Sequence, residues 1–363
     1  MKEGGESVQK VLIYRLGHIG DTVVALPCFR LIAKAFPMAE RRLLTNLPHG
    51  AKAAPIETVL GPMGLVHGYF KYPLGTRLPQ LLYHLARQIR EWKPEVLVYL
   101  AAPRGRVRAL RDALFFKACG IGELVGVPWT ADLQKVRGPL TNGVWEHEAS
   151  RMGRCIARLG EVHLDDPASY DLNLSLSERE KAEEILSGWR ARNGFICASI
   201  GTKADTKDWG KENWKEFFSR RCIDWPTLGL VLVGSADEYS QSGQVAAGWQ
   251  GPALNLCGKI TPRETAALME KALLFVGHDS GPMHLAAAVG TICIAIFGAR
   301  NLPGEWYPFG FRHHIIYHRT QCFGCMRVTC EEYDKICIRS VSVDEVCTSL
   351  NRTLSDVLTA KRA

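Results

Sequence analysis

Short apolar, β-prone runs alternate along the chain with longer amphipathic stretches, the pattern of β-α-β units around a parallel sheet. In the first half this predicts strands near 10–15, 41–45, 65–70 and 95–100, with helices near 20–36, 50–60, 78–92 and 106–119. The segment EVHLDDPASYDLNLS, 161–175, breaks the rhythm with Asp, Pro and Ser; Ser177 and Glu180 then form an S-x-x-E box that opens a new helix. A domain boundary is expected there. The alternation resumes with strands near 195–200, 228–233, 253–257, 273–277 and 291–297 and helices near 211–222, 238–249, 262–271 and 282–289, before a last helix near 342–358. The reading is two doubly wound α/β domains, without tandem repeat or low-complexity tract.

Composition agrees with two cores. The 363 residues are 47% hydrophobic and 23% charged, enough for two domains of about 150 to 200 residues each. A net charge of +8 is too moderate for a dedicated nucleic-acid binder, so no nucleic acid is expected as partner; acidic substrates or an anionic membrane surface fit better. No stretch reaches the ~18 uninterrupted apolar residues of a spanning helix, and Val11–Ile13 is too short for a signal-peptide core. A cytoplasmic protein is expected, soluble or peripheral at the inner face of the cytoplasmic membrane. Cys197, Cys257 and Cys293 lie inside apolar runs, where a thiol behaves as a small buried hydrophobe.

Two loops follow strands and precede helices, the position at which α/β domains bind ligands. The first is Tyr14-Arg15-Leu16-Gly17-His18-Ile19-Gly20-Asp21. It lacks the G-x-G-x-x-G of a nicotinamide enzyme, and the second strand ends in Thr45-Asn46 rather than an acid. Asp21, in the first helical turn, is either a proton acceptor in the site or an acid complementing the helix dipole. The second loop, Gly277-His278-Asp279-Ser280-Gly281-Pro282-Met283-His284, places small polar residues and a proline at a helix start. Unpaired N–H groups there suit a phosphate, unless Asp279 or Ser280 caps them.

The stretches VLIYRLGHIGDTVVALPCFRLIAKAFP (11–37), LVGV (124–127), SIGTKADTKDWGKENWKEFF (199–218), VLVGSADE (231–238) and FVGHDSGPMHLAAAVGTICIAIFG (275–298) resemble glycosyltransferase family nine, the ADP-heptose:lipopolysaccharide heptosyltransferases. The resemblance implies the glycosyltransferase-B fold: two Rossmann-like domains facing across a cleft. Residues 1–170 would bind the acceptor, 171–340 the nucleotide sugar, and 341–363 would form a helix crossing back to the N-terminal domain.

It further implies an inverting, metal-independent transfer from ADP-heptose to an anionic lipopolysaccharide-core acceptor or related glycan. Asp21 matches the family's catalytic aspartate, with Gly20 beside it on the acceptor side. Lys207, of the K-x-W string Lys207-Asp208-Trp209, would neutralise the leaving diphosphate. Thr202, Ser280, Gly281, Met283 and His284 would cradle that diphosphate and Asp279 would meet the sugar, although His284 also fits a structural role. Of Asp237 and Glu238, the latter is favoured for the ribose hydroxyls. A relative using another nucleotide sugar for an O-antigen, capsule or protein glycan, or a silent nucleotide-sugar-binding scaffold, fits the same fold; retention of Asp21 and Lys207 argues against the scaffold.

Two further features stand outside this scheme. Arg104, Arg106, Arg108, Arg111 and Lys117 surround a single acid, Asp112, and would either grip an anionic acceptor or lie on a solvated helix face. Cys322-x2-Cys325-x4-Cys330-x6-Cys337 has the spacing of a structural zinc or iron site, while unligated thiols or a disulfide are the alternatives.

Overall fold

A computed structural model describes residues 8–47, 54–73, 75, 78–189, 194–220 and 228–362, and the chain divides into two units between Tyr170 and Asp171. The first unit contains β1 (Lys10–Tyr14), α1 (Ile19–Ala35), β2 (Glu40–Asn46), α2 (Glu57–Leu60), β3 (Gly68–Tyr72), α3 (Pro79–Trp92), β4 (Val96–Tyr99), α4 (Arg106–Ala118), β5 (Glu123–Val125) and α5 (Glu148–Cys155). Its sheet runs β3-β2-β1-β4-β5 with every pairing parallel. Val11 to Tyr14 and Val96 to Tyr99 are buried without alternation, as strands covered on both faces by helices must be. One core cluster joins Leu12, Leu44 and Leu97 of the sheet to Ile89 and Trp92 of α3 and Phe116 of α4.

Differences from the sequence reading have local causes. The strand expected at 65–70 is displaced to Gly68–Tyr72 because Leu65 and Val66 are buried in the preceding loop. Of the helix expected near 50–60, only Glu57–Leu60 is helical among the described residues, and 50–53 lie outside them. Strand β5 has three residues, too few to show a period. Helix α5 went unpredicted because its buried face carries an ion pair, Arg151 to Glu148 at 2.6 Å with both side chains nearly inaccessible, where a pattern reader seeks apolar residues.

The second unit contains α6 (Leu176–Ser187), β6 (Phe195–Ser199), α7 (Lys211–Ser219), β7 (Gly229–Leu232), α8 (Tyr239–Val245), β8 (Ala253–Asn255), α9 (Pro262–Met269), β9 (Leu274–His278), α10 (Gly281–Ala288), β10 (Cys293–Phe297), β11 (His314–Tyr317), α11 (Ile336–Arg339) and α12 (Val343–Arg362). Its six strands are parallel in the order β11-β10-β9-β6-β7-β8. Helix α6 does not start at a Ser177–Glu180 box: Ser175 is the cap, accepting from the Glu178 N–H at 3.3 Å while Glu178 Oε2 accepts from the Ser175 N–H at 2.7 Å. Arg263 fixes that choice by pairing with Glu178. The last helix, α12, packs on α7 and β10, and Val346, Leu350 and Leu354 belong to the core of the second unit. It contributes to the core of the second unit.

In both sheets the strand order reverses once, between β1 and β4 and between β6 and β9. Loops leaving the carboxyl ends of strands diverge at such a point and leave a crevice for ligands. The loops concerned are 15–18 and 100–105 in the first unit and 200–210 and 279–280 in the second, so each loop singled out in the sequence lies at a switch point.

Candidate functional site

In the first unit, Asp21 is the third residue of α1. Its Oδ2 accepts the His18 N–H at 2.9 Å, so it caps the helix; its side chain nevertheless keeps 32% of its accessibility. Behind it Arg15 is wholly buried, donating to the Asp21 carbonyl at 2.8 Å and to the Leu100 carbonyl at 2.8 Å, with its guanidinium 3.6 Å from Asp21 Oδ1. Capping leaves Asp21 one oxygen not committed to the backbone, beside the Arg15 guanidinium and in a side chain that is partly accessible. Gly17, at φ 139°, permits this, because a Cβ there would lie 2.4 Å from that of Asp21. The Gly17 N–H is held by Asn46 Oδ1 at 2.8 Å. Arg15 and Asn46 were not singled out from the sequence, although each directly follows or ends an apolar strand.

The neighbouring loop places the basic cluster. Arg104 bonds to the Tyr14 hydroxyl at 3.0 Å and to Asp112 Oδ2, while Arg111 pairs with Asp112 Oδ1 at 2.8 Å. Tyr99 donates to the same carboxylate at 3.0 Å and Tyr14 meets the Tyr72 hydroxyl at 3.0 Å. Burial pushes the Tyr99 phenol up to about 12, so it stays a neutral donor. The five basic residues are therefore not equivalent: Asp112, itself buried, engages Arg104 and Arg111, whereas Arg106 and Arg108 are exposed. Three tyrosines at the ends of β1, β3 and β4 form the rest of this polar floor, which charge counting did not reveal.

In the second unit, the segment after β6 turns through a 3-10 helix at Asp205–Lys207 and is anchored by Trp209. That indole is buried and donates to the Val341 carbonyl at 2.8 Å; the Trp209 N–H donates to His278 Nε2 at 3.1 Å. The K-x-W spacing acquires a physical meaning: Trp209 locks the turn and Lys207 projects from it. Burial lowers His278 to about 4, which keeps the ring neutral as an acceptor. Lys207 Nζ lies 2.6 Å from Asp279 Oδ2 and 3.2 Å from the Asp279 carbonyl, joining the two loops of the switch point. Asn301, buried in the loop after β10, donates to the same Asp279 oxygen at 3.0 Å, and His284 Nε2 stands 4.0 Å from Oδ1. Asn301 had no motif to announce it, being 22 residues from its partner.

Ser280 is the N-cap of α10 but makes no capping bond, and its buried hydroxyl lacks a partner. The donors of the first turn are therefore not consumed by a side-chain cap. His284 N–H is bonded to the Ser280 carbonyl at 3.4 Å, and Met283 is fully buried, so its side chain serves the core and only its backbone faces the turn. Thr202 forms a local turn with Ala204, Oγ1 standing 3.4 Å from the Ala204 N–H. Glu238 closes the other wall. Its Oε2 accepts the Ser235 N–H at 2.8 Å, and the carboxylate lies so close over the ends of β6 and β7 that a Cβ at Gly201 or Gly234 would meet it at 1.8 or 2.2 Å. Asp237 is exposed on the outer side of that turn.

The cysteine loop braces this site. Cys322, Cys325 and Cys330 are half-buried, Cys337 is buried, and all four are free thiols; burial pushes Cys337 up and the other three thiols add to that. Among the described residues no group of three or more His, Cys, Asp or Glu side chains is arranged to hold a metal ion. What the loop does is hold Thr206, whose hydroxyl donates to the Arg327 carbonyl at 2.8 Å and whose N–H donates to that of Val328 at 3.2 Å. Lys335 adds an ion pair to Asp205 at 2.8 Å. Both contacts hold the residues immediately before Lys207.

Comparison with known proteins bears on these features. A family model described as glycosyltransferase family 9 (heptosyltransferase) matches residues 108–336. Over 187 residues, 48% of this chain and 54% of the relative, the chain is 44% identical to lipopolysaccharide heptosyltransferase 3 of Escherichia coli K12. Matched stretches span from 19% to 54% of the length of the curated relatives. The fold is shared with the family 9 glycosyltransferase of Veillonella parvula, at TM-score 0.73 and 18% identity over 98% of this chain and 100% of that one. It is shared too with Escherichia coli heptosyltransferase WaaC, solved with ADP-2-deoxy-2-fluoro heptose, at TM-score 0.60 and 13% identity over 95% and 99%.

Proposed function

The chain belongs to glycosyltransferase family 9, the heptosyltransferases, and has their glycosyltransferase-B fold; from that premise we propose that it transfers a heptose from ADP-heptose to an anionic lipopolysaccharide-core acceptor with inversion. The observation carrying this reading is the Lys207–Asp279 pair at the switch point of the second sheet, 2.6 Å apart and largely buried, beside a helix start whose serine cap is unused. A buried ammonium next to free backbone N–H groups is a site for a diphosphate, and it gains strength as negative charge grows on the leaving oxygen.

In this reading Glu238 binds the ribose through Oε1, which no described group occupies. Gly201 and Gly234 leave room for the Glu238 carboxylate to lie over the ends of β6 and β7. Lys207 and the first turn of α10 hold the diphosphate, with Asp279 exchanging part of its bond to Lys207 for the sugar hydroxyls. Asp21 takes the proton of the acceptor hydroxyl as the new bond forms, and Arg15, paired with its carboxylate at 3.6 Å, holds it in place. Arg108 meets the anionic acceptor, while Arg104 and Arg111 engage Asp112 beside the tyrosine floor. Work at the inner face of the cytoplasmic membrane follows from the acceptor.

Asp21→Asn is the test. The amide oxygen still accepts the His18 N–H, so fold and donor affinity are retained, but the variant cannot take a proton; kcat should fall by at least about a hundredfold. Near-wild-type turnover by the folded variant would remove Asp21 from the mechanism.

A further inference from the structure

An amphipathic helix on the surface of a soluble protein turns its apolar stripe inward. Helix α4 does this with Ala109, Ala113 and Phe116, which join the core of the first unit. Its outer face carries a second apolar stripe. Val107, Leu110 and Leu114, spaced i, i+3, i+7, retain 83%, 51% and 60% of their accessibility. At ~3.6 residues per turn these three lie together, with Arg106 and Lys117 along one edge and Arg111 along the other. Arg108 stands exposed beyond Arg111. The single acid of the helix, Asp112, is buried on the opposite side, so the outer face has no negative charge. Helix α3 runs alongside, tied to α4 by Arg90, which donates to the Ala118 carbonyl at 2.9 and 3.1 Å.

We propose that this outer face of α4 docks on an anionic lipid bilayer. Aliphatic side chains flanked by cations match a lipid interface: the stripe enters the boundary between headgroups and acyl chains while Arg106, Arg111 and Lys117 meet lipid phosphates. The charge pattern selects this occupant. A protein partner for an apolar stripe needs no net-positive rim, and a free anionic sugar has no use for three aliphatic side chains. The inference goes beyond sugar transfer, because binding to lipid requires neither donor nor acceptor.

The test is co-sedimentation of the full chain with vesicles of phosphatidylcholine alone and of phosphatidylcholine with about one-third phosphatidylglycerol. The wild type should bind the anionic vesicles, lose that binding at high salt, and leave neutral vesicles largely free. The variant Leu110→Gln/Leu114→Gln should bind at least about tenfold more weakly with an unchanged melting temperature, since neither side chain is in the core. Phe311→Ser, which removes a side chain 90% exposed in the second unit, should bind as the wild type does. Absence of binding by the wild type, equal binding by the glutamine variant, or a dimer in sedimentation that the glutamine variant abolishes would each overturn the proposal. ADP release measured with a lipid-free acceptor fragment reports on the transfer reading separately.

Discussion

Replacing Lys207 by methionine removes an ammonium from a site where only 17% of the lysine side chain and 5% of that of Asp279 remain accessible. The Asp279 carboxylate then keeps the Asn301 amide at 3.0 Å and a histidine nitrogen 4.0 Å away, too little to compensate a buried charge. Breaking such a pair from one side costs about 3 kcal/mol or more, and at about 2–4 °C per kcal/mol for a domain of this size the melting temperature should fall by roughly 6–12 °C. Adding Asp279→Asn removes the orphaned charge, so the double variant should be more stable than the sum of the singles by about 1.5 kcal/mol or more. Turnover should behave differently. The lysine acts on charge that develops during bond breaking, so both variants lacking it should lose on the order of a hundred- to a thousandfold in kcat. Calorimetry and a coupled ADP-release assay on the same preparations separate the two effects. Melting of Lys207→Met at the wild-type temperature would refute the buried pair, and a rise in KM with kcat unchanged would show that the lysine binds ground state and transition state alike.

Gly201→Ala places a Cβ 1.8 Å from Glu238 Oε1, pushing the flexible end of that side chain out of the ribose position; KM for the nucleotide sugar should rise by about tenfold or more, with little change in melting temperature, and an unchanged KM would exclude Glu238 from donor binding. His278, held neutral with its pKa lowered to about 4 by burial, takes up a proton in the unfolded chain before it does in the folded one. Stability should therefore be complete above the ordinary histidine value of about 6.5 and decline as pH falls from there towards 4, by at most about 1.4 kcal/mol per pH unit. His278→Gln should flatten that slope in thermal melts, and an unaltered slope would contradict the assignment. Asn301→Ala, which deletes a donor to Asp279, should lower kcat, whereas Asn301→Asp should lower it further by adding a charge that competes for Lys207; wild-type kinetics in both would remove Asn301 from the site.

Much of the architecture was legible because buried parallel strands are short apolar runs, and the loops at their carboxyl ends are where a sheet of this order binds ligands. Elements that rely on something other than apolar periodicity were not legible. The buried Arg151–Glu148 pair hides α5, and three- and four-residue edge strands leave β5 and β11 without a measurable period. Ser175-x-x-Glu178 and Ser177-x-x-Glu180 satisfy the same capping rule, and only Arg263, 85 residues from Glu178, decides between them. The placement of Asp21, Lys207 and Asp279 in the segments that follow β1, β6 and β9 was legible, because those segments directly follow apolar runs. The site was not legible where a partner comes from elsewhere: Asn301 reaches Asp279 from another loop, and Asp112 occupies two of the arginines that composition presented as available. The loop that carries the four cysteines also holds Thr206 and Asp205 next to Lys207, contacts that cysteine spacing does not announce.

Nucleotide release from a panel of nucleotide sugars, with and without a deacylated lipopolysaccharide-core acceptor, identifies the group transferred. ADP should be released from ADP-heptose, at a rate that rises with acceptor concentration, and UDP- and GDP-sugars should remain intact. Acceptor-dependent release of UDP or GDP with ADP-heptose untouched would contradict the assignment of the donor, and release of none by folded protein would contradict transfer itself.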